Sequence, residues 1–246
     1  MWRIIVTSEA KAVEPMISAA LWAVVFSLVC AGPAVGEKKS QQEEGEYRIY
    51  FSGRQIGSER YAISASGGSV SSNSILDFRN PGETNQKVHL ESKLEMDADY
   101  VPKSYELRSD VDGKKGAIRG IFSPNQVMFE YVSSGSPNKQ GLLVGKEYTL
   151  LDTNLFHQFA FLARRFKYGS REKLQRFEVV IPQESDSGIL KMSETGQETI
   201  QVQGKKVATR HLLADSGSIL IHLWVDDRRV VHKISVPSKG IEVVRN

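Results

Sequence analysis

From Tyr47 to the C-terminus, apolar residues recur at every second position in short runs that end on turn residues. That period is the alternation of side chains across a β-sheet, and no heptad or helical repeat competes with it. Tyr47, Ile49 and Phe51 alternate with Glu46, Arg48 and Tyr50. Ser52-Gly53-Arg54-Gln55 then turns the chain, and Ile56 to Ile63 follows as a second strand before Gly67-Gly68. Further strands are predicted over 70–78, 86–96, 103–111, 117–122, 126–132, 177–181, 189–194, 199–203, 205–214, 218–225, 230–236 and 241–244. The links carry turn chemistry: Asn80-Pro81-Gly82, Asp112-Gly113, Pro124-Asn125, Gly135-Ser136-Pro137-Asn138, Gln203-Gly204 and Ser216-Gly217. Links this short predict antiparallel pairing, because a parallel crossover needs about a dozen residues or more.

One segment departs from the period. Asp152-Thr153-Asn154 can cap a helix start, and Leu155, Phe159, Leu162 and Phe166 then fall at helical spacing. Arg164, Arg165 and Lys167 crowd the end, where cations suit the helix dipole, and Gly169 is placed to stop it. A helix is therefore predicted near 153–167. Phe156 widens its apolar stripe, while Phe161 falls outside it and is left over for a ligand or partner. The fold expected is mainly β: a large curled antiparallel sheet, a half-barrel or barrel-like meander, with one main covering α-helix. It forms a single domain over 46–246.

The N-terminus reads differently. No charge occurs between Glu14 and Glu37, the gap holds the apolar run 19–29, and Ala34-Val35-Gly36 is a small-x-small triplet. Residues 1–36 are expected to be a signal peptide cleaved after Gly36. A retained membrane anchor is a second reading, since the uncharged stretch just suffices to span a bilayer. A lipoprotein anchor on Cys30 is a third, disfavoured by Val29 where a small residue belongs. Each reading exports the rest of the chain to the periplasm or cell envelope. Residues 37–45 are polar and are expected to form a linker. Cys30 is the only cysteine, so removal of the leader excludes disulfides, thiolate nucleophiles and Cys-ligated zinc. A net charge of +3 over 246 residues is too small for a dedicated nucleic-acid binder, and no nucleic-acid partner is expected.

Catalytic and cofactor motifs do not emerge. G-x-S-x-G, H-E-x-x-H and G-x-G-x-x-G are missing. Gly141-Leu142-Leu143-Val144-Gly145-Lys146-Glu147 is one residue short of a phosphate loop, and Asp110-Val111-Asp112-Gly113 is too short for calcium. No cofactor and no enzymatic activity are expected, although Asp97, Asp99, Asp226 and Asp227 leave room for an unrecognised hydrolase. If Ser216-Gly217 is a two-residue turn, His211 lies directly opposite His222. That row guarantees two metal ligands where a site needs three, so no metal is assigned to the pair. One face of the same hairpin carries Leu213, Leu220 and Trp224, and the other face is apolar as well. With Phe156, Phe159 and Phe161 these residues are the candidate ligand-binding set. Arg164, Arg165, Lys167, Arg171, Lys173 and Arg176 are opposed only by Glu172 and form a candidate basic surface for anionic head groups or an acidic partner.

Three stretches carry a family resemblance: Tyr47-Arg48-Ile49-Tyr50-Phe51 with Gly53 and Ile56-Gly57; the helix after Leu151-Asp152; and Leu223-Trp224-Val225-Asp226-Asp227 with the run 230–237. Their order resembles a family of exported bacterial proteins of unknown function. It is similar in layout to the lipoprotein-carrier fold of LolA, LolB and RseB. The resemblance implies a sheet curled around an apolar concavity with helix cover, and binding of a lipid, acyl chain or lipoprotein there. The alternative is a structural or interaction module holding an envelope partner protein by a sheet edge or by the basic 164–176 segment.

Overall fold

The structure, a computed structural model, describes residues 41–81, 85–133 and 137–246. The expected leader, its cleavage point and Cys30 lie outside the described residues. Among those described, no helix is long and apolar enough to cross a membrane.

Among the described residues, fifteen strands form one sheet. They are β1 (Gln41–Phe51), β2 (Arg54–Ser66), β3 (Ser69–Arg79), β4 (Lys87–Asp97), β5 (Pro102–Val111), β6 (Lys114–Ser123), β7 (Gln126–Val132) and β8 (Asn138–Leu143). After these come β9 (Tyr148–Leu150), β10 (Leu174–Ile181), β11 (Asp186–Val202), β12 (Lys205–Asp215), β13 (Leu220–Val225), β14 (Val231–Val236) and β15 (Ile241–Arg245). The sheet order is β8-β7-β6-β5-β4-β3-β2-β1-β15-β14-β13-β12-β11-β10-β9. Two meanders thus run outward from a central seam where β1 pairs antiparallel with β15, Tyr47 opposite Arg245 and Phe51 opposite Ile241.

This order forces curvature. Fifteen strands about 4.8 Å apart would span roughly 67 Å if flat. The two outermost strands, β8 and β9, are joined by only the four residues 144–147, which reach less than about 20 Å. The sheet must therefore curl until its edges approach, giving an unclosed barrel in which β8 and β9 remain edges. β9 pairs in parallel with β10, Thr149 opposite Val179. This exception to the antiparallel expectation is permitted because the connection 151–173 is long enough for a crossover.

The expected linker is partly strand. Gln41–Gly45 pairs with β2, Glu43 opposite Ile63. Glu43 is held there by Arg245 at 2.9 Å, by Tyr61 Oη at 2.9 Å and by Arg164. Cross-strand partners that neutralise a charge remove the reason for it to stay in solvent. β11 joins what the alternation splits into two strands, because a bulge near Thr195 resets the phase without breaking the pairing with β12. β8 and β9 escape the sequence pattern altogether: β8 is a largely exposed edge and β9 only three residues long.

The helix is shorter than predicted. A turn of 3-10 helix, Phe156–Gln158, leads into α1, Phe159–Arg165, and Phe166 is already extended with φ −61° and ψ 129°. Gly169 therefore belongs to the following turn rather than to the helix end. Phe156, Phe159, Ala160, Phe161, Leu162 and Ala163 are all buried. A helix apolar all round is one surrounded on every side, as the interior of a curled sheet surrounds this one.

Candidate functional site

β2 sends the inward-facing side chains Glu59, Tyr61 and Ile63 toward the helix. Glu59 is a carboxylate in an otherwise apolar phase, and it is fully buried. Its Oε2 accepts the backbone N–H of Phe156 at 2.9 Å and of His157 at 3.1 Å, while Oε1 lies 2.6 Å from His157 Nδ1. Orphan donors at the start of the helical segment are thereby satisfied from another strand. This displaces the expected Asp152-Thr153-Asn154 cap, and neither helical turn has a side-chain cap from its own segment. Asp152 turns elsewhere. It accepts from Tyr105 Oη at 2.5 Å and from the Gln183 and Thr153 amides at 2.9 Å each. Burial pushes its carboxyl up to about 6.

Ser72 Oγ on β3 lies 3.3 Å from His157 Nε2, so serine, histidine and carboxylate stand in a row. The order matches that of a hydrolase triad. All three side chains are at most 1% exposed, however, and the row is enclosed between sheet and helix. As placed, Ser72 Oγ offers no attacking position to a substrate. The arrangement fastens the helix to β2 and β3.

Outward from this hub the chain of contacts reaches solvent. The His157 ring stacks on Tyr61 at 5.9 Å, and Tyr61 on Tyr47 at 5.1 Å. Burial raises both phenols above the ordinary range. Tyr61 meets Glu43 and Arg245, and Glu43 is shared with Arg164 at the C-terminal end of α1. Arg164 lies between two clefts. One, about 480 Å³, is lined by Glu43, Arg228, Arg229, His232 and Arg245 among others. The second, about 820 Å³, gathers Lys146, Arg164, Arg165, Lys167 and Arg176 beside Tyr100, Val101 and Phe177.

The larger cleft brings together four members of the predicted basic surface. Arg171 and Lys173 do not line it and stand exposed nearby in sequence. The opposing acids are Asp99, Glu147 and Glu172. Arg165 is half-buried, 3.5 Å from the well-exposed Glu147, with Thr149 Oγ1 accepting at 2.5 Å. Its guanidinium is lowered from the ordinary value by that burial, and a desolvated cation is one an anion stabilises. Lys146 lies in the segment 141–147 that falls one residue short of a phosphate loop. The parallel pairing of β9 with β10, Tyr148 opposite Glu178, brings it to the basic run.

The six candidate ligand-binding residues do not share one concavity. Phe156, Phe159 and Phe161 are buried in the interior, Phe161 at 0% exposure against Tyr100 and edge-on to His157. Phe161 is therefore core, correcting its assignment as surplus apolar surface. Leu213, Leu220 and Trp224 lie on the opposite, outer face, because Leu212, Ile221 and Leu223 take the inward positions. The histidine register also differs by two. Ser216 N–H donates to Ile219 O, so the turn is longer and Asp215 faces Leu220. His211 pairs with Trp224 and His222 with Leu213, yet the two imidazoles still meet diagonally. His232 does not join them; its Nε2 lies 3.0 Å from Asp226.

No protein-family model matches the chain, and no curated protein matches it. Among solved structures it is similar to a beta-barrel-like protein of domain of unknown function DUF1849 from Brucella abortus. That pair shares 12% identity with a TM-score of 0.56, over 86% of this chain and 97% of that one. A DUF1089 family protein from Pseudomonas aeruginosa also aligns, at 12% identity and a TM-score of 0.44, over 86% and 96% of the two chains. At this identity the first likeness shows a shared barrel-like fold of unknown function, and it leaves the ligand to be argued from the clefts.

Proposed function

We propose that this chain is a non-enzymatic protein of the cell envelope that binds an anionic phospholipid, with its phosphate-bearing head group in the basic cleft. The observation that carries the reading is the convergence of Lys146, Arg164, Arg165, Lys167 and Arg176 on one cleft whose wall includes Tyr100, Val101 and Phe177. Cations beside aromatic and aliphatic surface suit a ligand with a charged head and an apolar neck. The space between helix and sheet expected to hold an acyl chain is taken by Phe156, Phe159 and Phe161. The head group thus becomes the principal recognition element. The barrel-like sheet agrees with this reading, and export by the N-terminal apolar run, if it occurs, would agree with it as well.

The test is flotation with vesicles of phosphatidylglycerol in phosphatidylcholine, compared with phosphatidylcholine alone. Lys167 and Arg176 are exposed, so Lys167→Ala/Arg176→Ala should leave the fold intact. At about 1 kcal/mol per cation near an anionic surface, the pair should weaken binding to the anionic vesicles by roughly 30-fold at low salt. Equal binding by wild type and variant, or equal binding to neutral vesicles, would refute the proposal.

A second reading rests on β8, whose outer edge is unpaired among the described residues and which exposes Leu143 at 83%. An open edge of this kind accepts a partner's strand. Loss of partner binding in Leu143→Lys with vesicle binding unchanged would favour it.

A further inference from the structure

The two clefts beside α1 share a wall, since Arg164 and Tyr100 line both of them. Successive arginines at the end of α1 part ways there: Arg164 turns to Glu43 on β1, while Arg165 turns to Thr149 on β9. Tyr100 is stacked on Phe161, 6.0 Å between ring centroids. It stands in a turn that the Asp97 carboxylate fastens by accepting from the Asp99 and Val101 amides at 2.9 and 3.0 Å. We infer that the ligand is a lipid carrying two phosphate groups on a short spacer, with one phosphate in each cleft and the spacer across Tyr100. This rests on the anionic-phospholipid reading above and adds the second cleft to it.

The second cleft has the chemistry for a phosphate of its own. At about 480 Å³ it falls within the range of ligand sites, about 300–1,000 Å³. Arg164, Arg228, Arg229 and Arg245 line it against Glu43 and Glu44. Glu43 is taken by Arg164 and Arg245, all three largely buried. Arg228 and Arg229 stay exposed. Arg228 has only a loose pairing with Asp226, at 3.6 Å. Arg229 is steadied in place, because its guanidinium donates to the Arg164 carbonyl and lies 5.2 Å from the centre of the Tyr168 ring. A guanidinium engaged through one N–H keeps others for phosphate oxygens, which it grips as a forked pair. In the first cleft, too, cations outnumber the acids Asp99, Glu147 and Glu172. Once one phosphate is seated, a linked second one binds as an intramolecular event, so the pair gains affinity that separate phosphates do not.

The experiment is flotation of the full chain with vesicles matched in phosphate content, carrying phosphatidylglycerol, cardiolipin or diphosphoryl lipid A in phosphatidylcholine. Wild type is expected to bind a two-phosphate lipid at least about tenfold tighter than phosphatidylglycerol. Which of the two it prefers tells a glycerol spacer from a disaccharide one. Arg228→Ala/Arg229→Asn removes the two exposed arginines, and asparagine suits the left-handed backbone of Arg229, φ 65°. This variant should bring the ratio of the affinities close to one. Arg228→Ala alone, which keeps the Arg229 tether to α1, should lower it in part. A loss equal on all three lipids, with the ratio unchanged, would show the arginines acting as general surface charge and overturn the inference. Wild type that binds phosphatidylglycerol and the two-phosphate lipids equally would overturn it as well, while leaving the single head-group reading in place. Wild type that binds none of the three would overturn both.

Discussion

Replacing Glu59 by Ala tests whether the helix is fastened from β2. The carboxylate accepts from Phe156 N–H, from His157 N–H and from the His157 ring, and it is fully buried. Each buried donor left without a partner costs about 1–3 kcal/mol. Three would cost about 3–9 kcal/mol if none found water. We expect a loss of about 4 kcal/mol, a large share of the roughly 5–15 kcal/mol available to a domain. Urea unfolding followed by circular dichroism measures it, with the slope checked for two-state behaviour. The cycle Glu59→Ala, His157→Ala and the double variant should give a coupling of at least about 1 kcal/mol. A loss below about 1 kcal/mol in Glu59→Ala, or additive single variants, would show that the helix is held by apolar packing alone.

Other outcomes follow from the same geometry. Phe161→Ala should cost about 3–5 kcal/mol in urea unfolding, no less than Phe159→Ala, since both fill the interior. Asp152 ionises less readily in the folded state, near 6 against 3.8 unfolded, so its contribution is full below about pH 4 and is lost as pH rises through 6. At about 1.4 kcal/mol per unit this amounts to about 3 kcal/mol, seen as a fall in the urea midpoint between pH 4 and 6 that Asp152→Asn removes. Gly57→Ala would set a Cβ 2.2 Å from the Asp77 carbonyl oxygen. Because that neighbour is backbone in the β2–β3 ladder, thermal unfolding should show a loss of at least about 1–3 kcal/mol.

Much of the architecture is legible as alternation. Val70, Ser72, Ser74 and Leu76 face in along β3, and Val88, Leu90, Leu94 and Met96 along β4, because a half-buried sheet must alternate. The apolar run 155–163 likewise announces a buried helix. Its length was overestimated because helical spacing persists through Phe166, where the backbone has already turned to extended. β9 left no pattern, since three residues buried on both faces cannot alternate. Glu59 did leave one: a carboxylate at an inward position between Gly57 and Tyr61 breaks the phase, and such a break marks a buried partner.

The sequence by itself determined the mainly β class, most strand phases, the place of the covering helix and the existence of a cationic run, because each is written in spacing over fewer than about twenty residues. Tertiary structure decided the rest. Only the short link between β8 and β9 shows that the sheet curls, only the curl buries Phe161, and only the parallel pairing of β9 with β10 brings Lys146 to the basic run. The contact of His211 with His222 likewise depended on the length of one turn, since a shift of two residues keeps both side chains on the same face and changes only which neighbour each one meets.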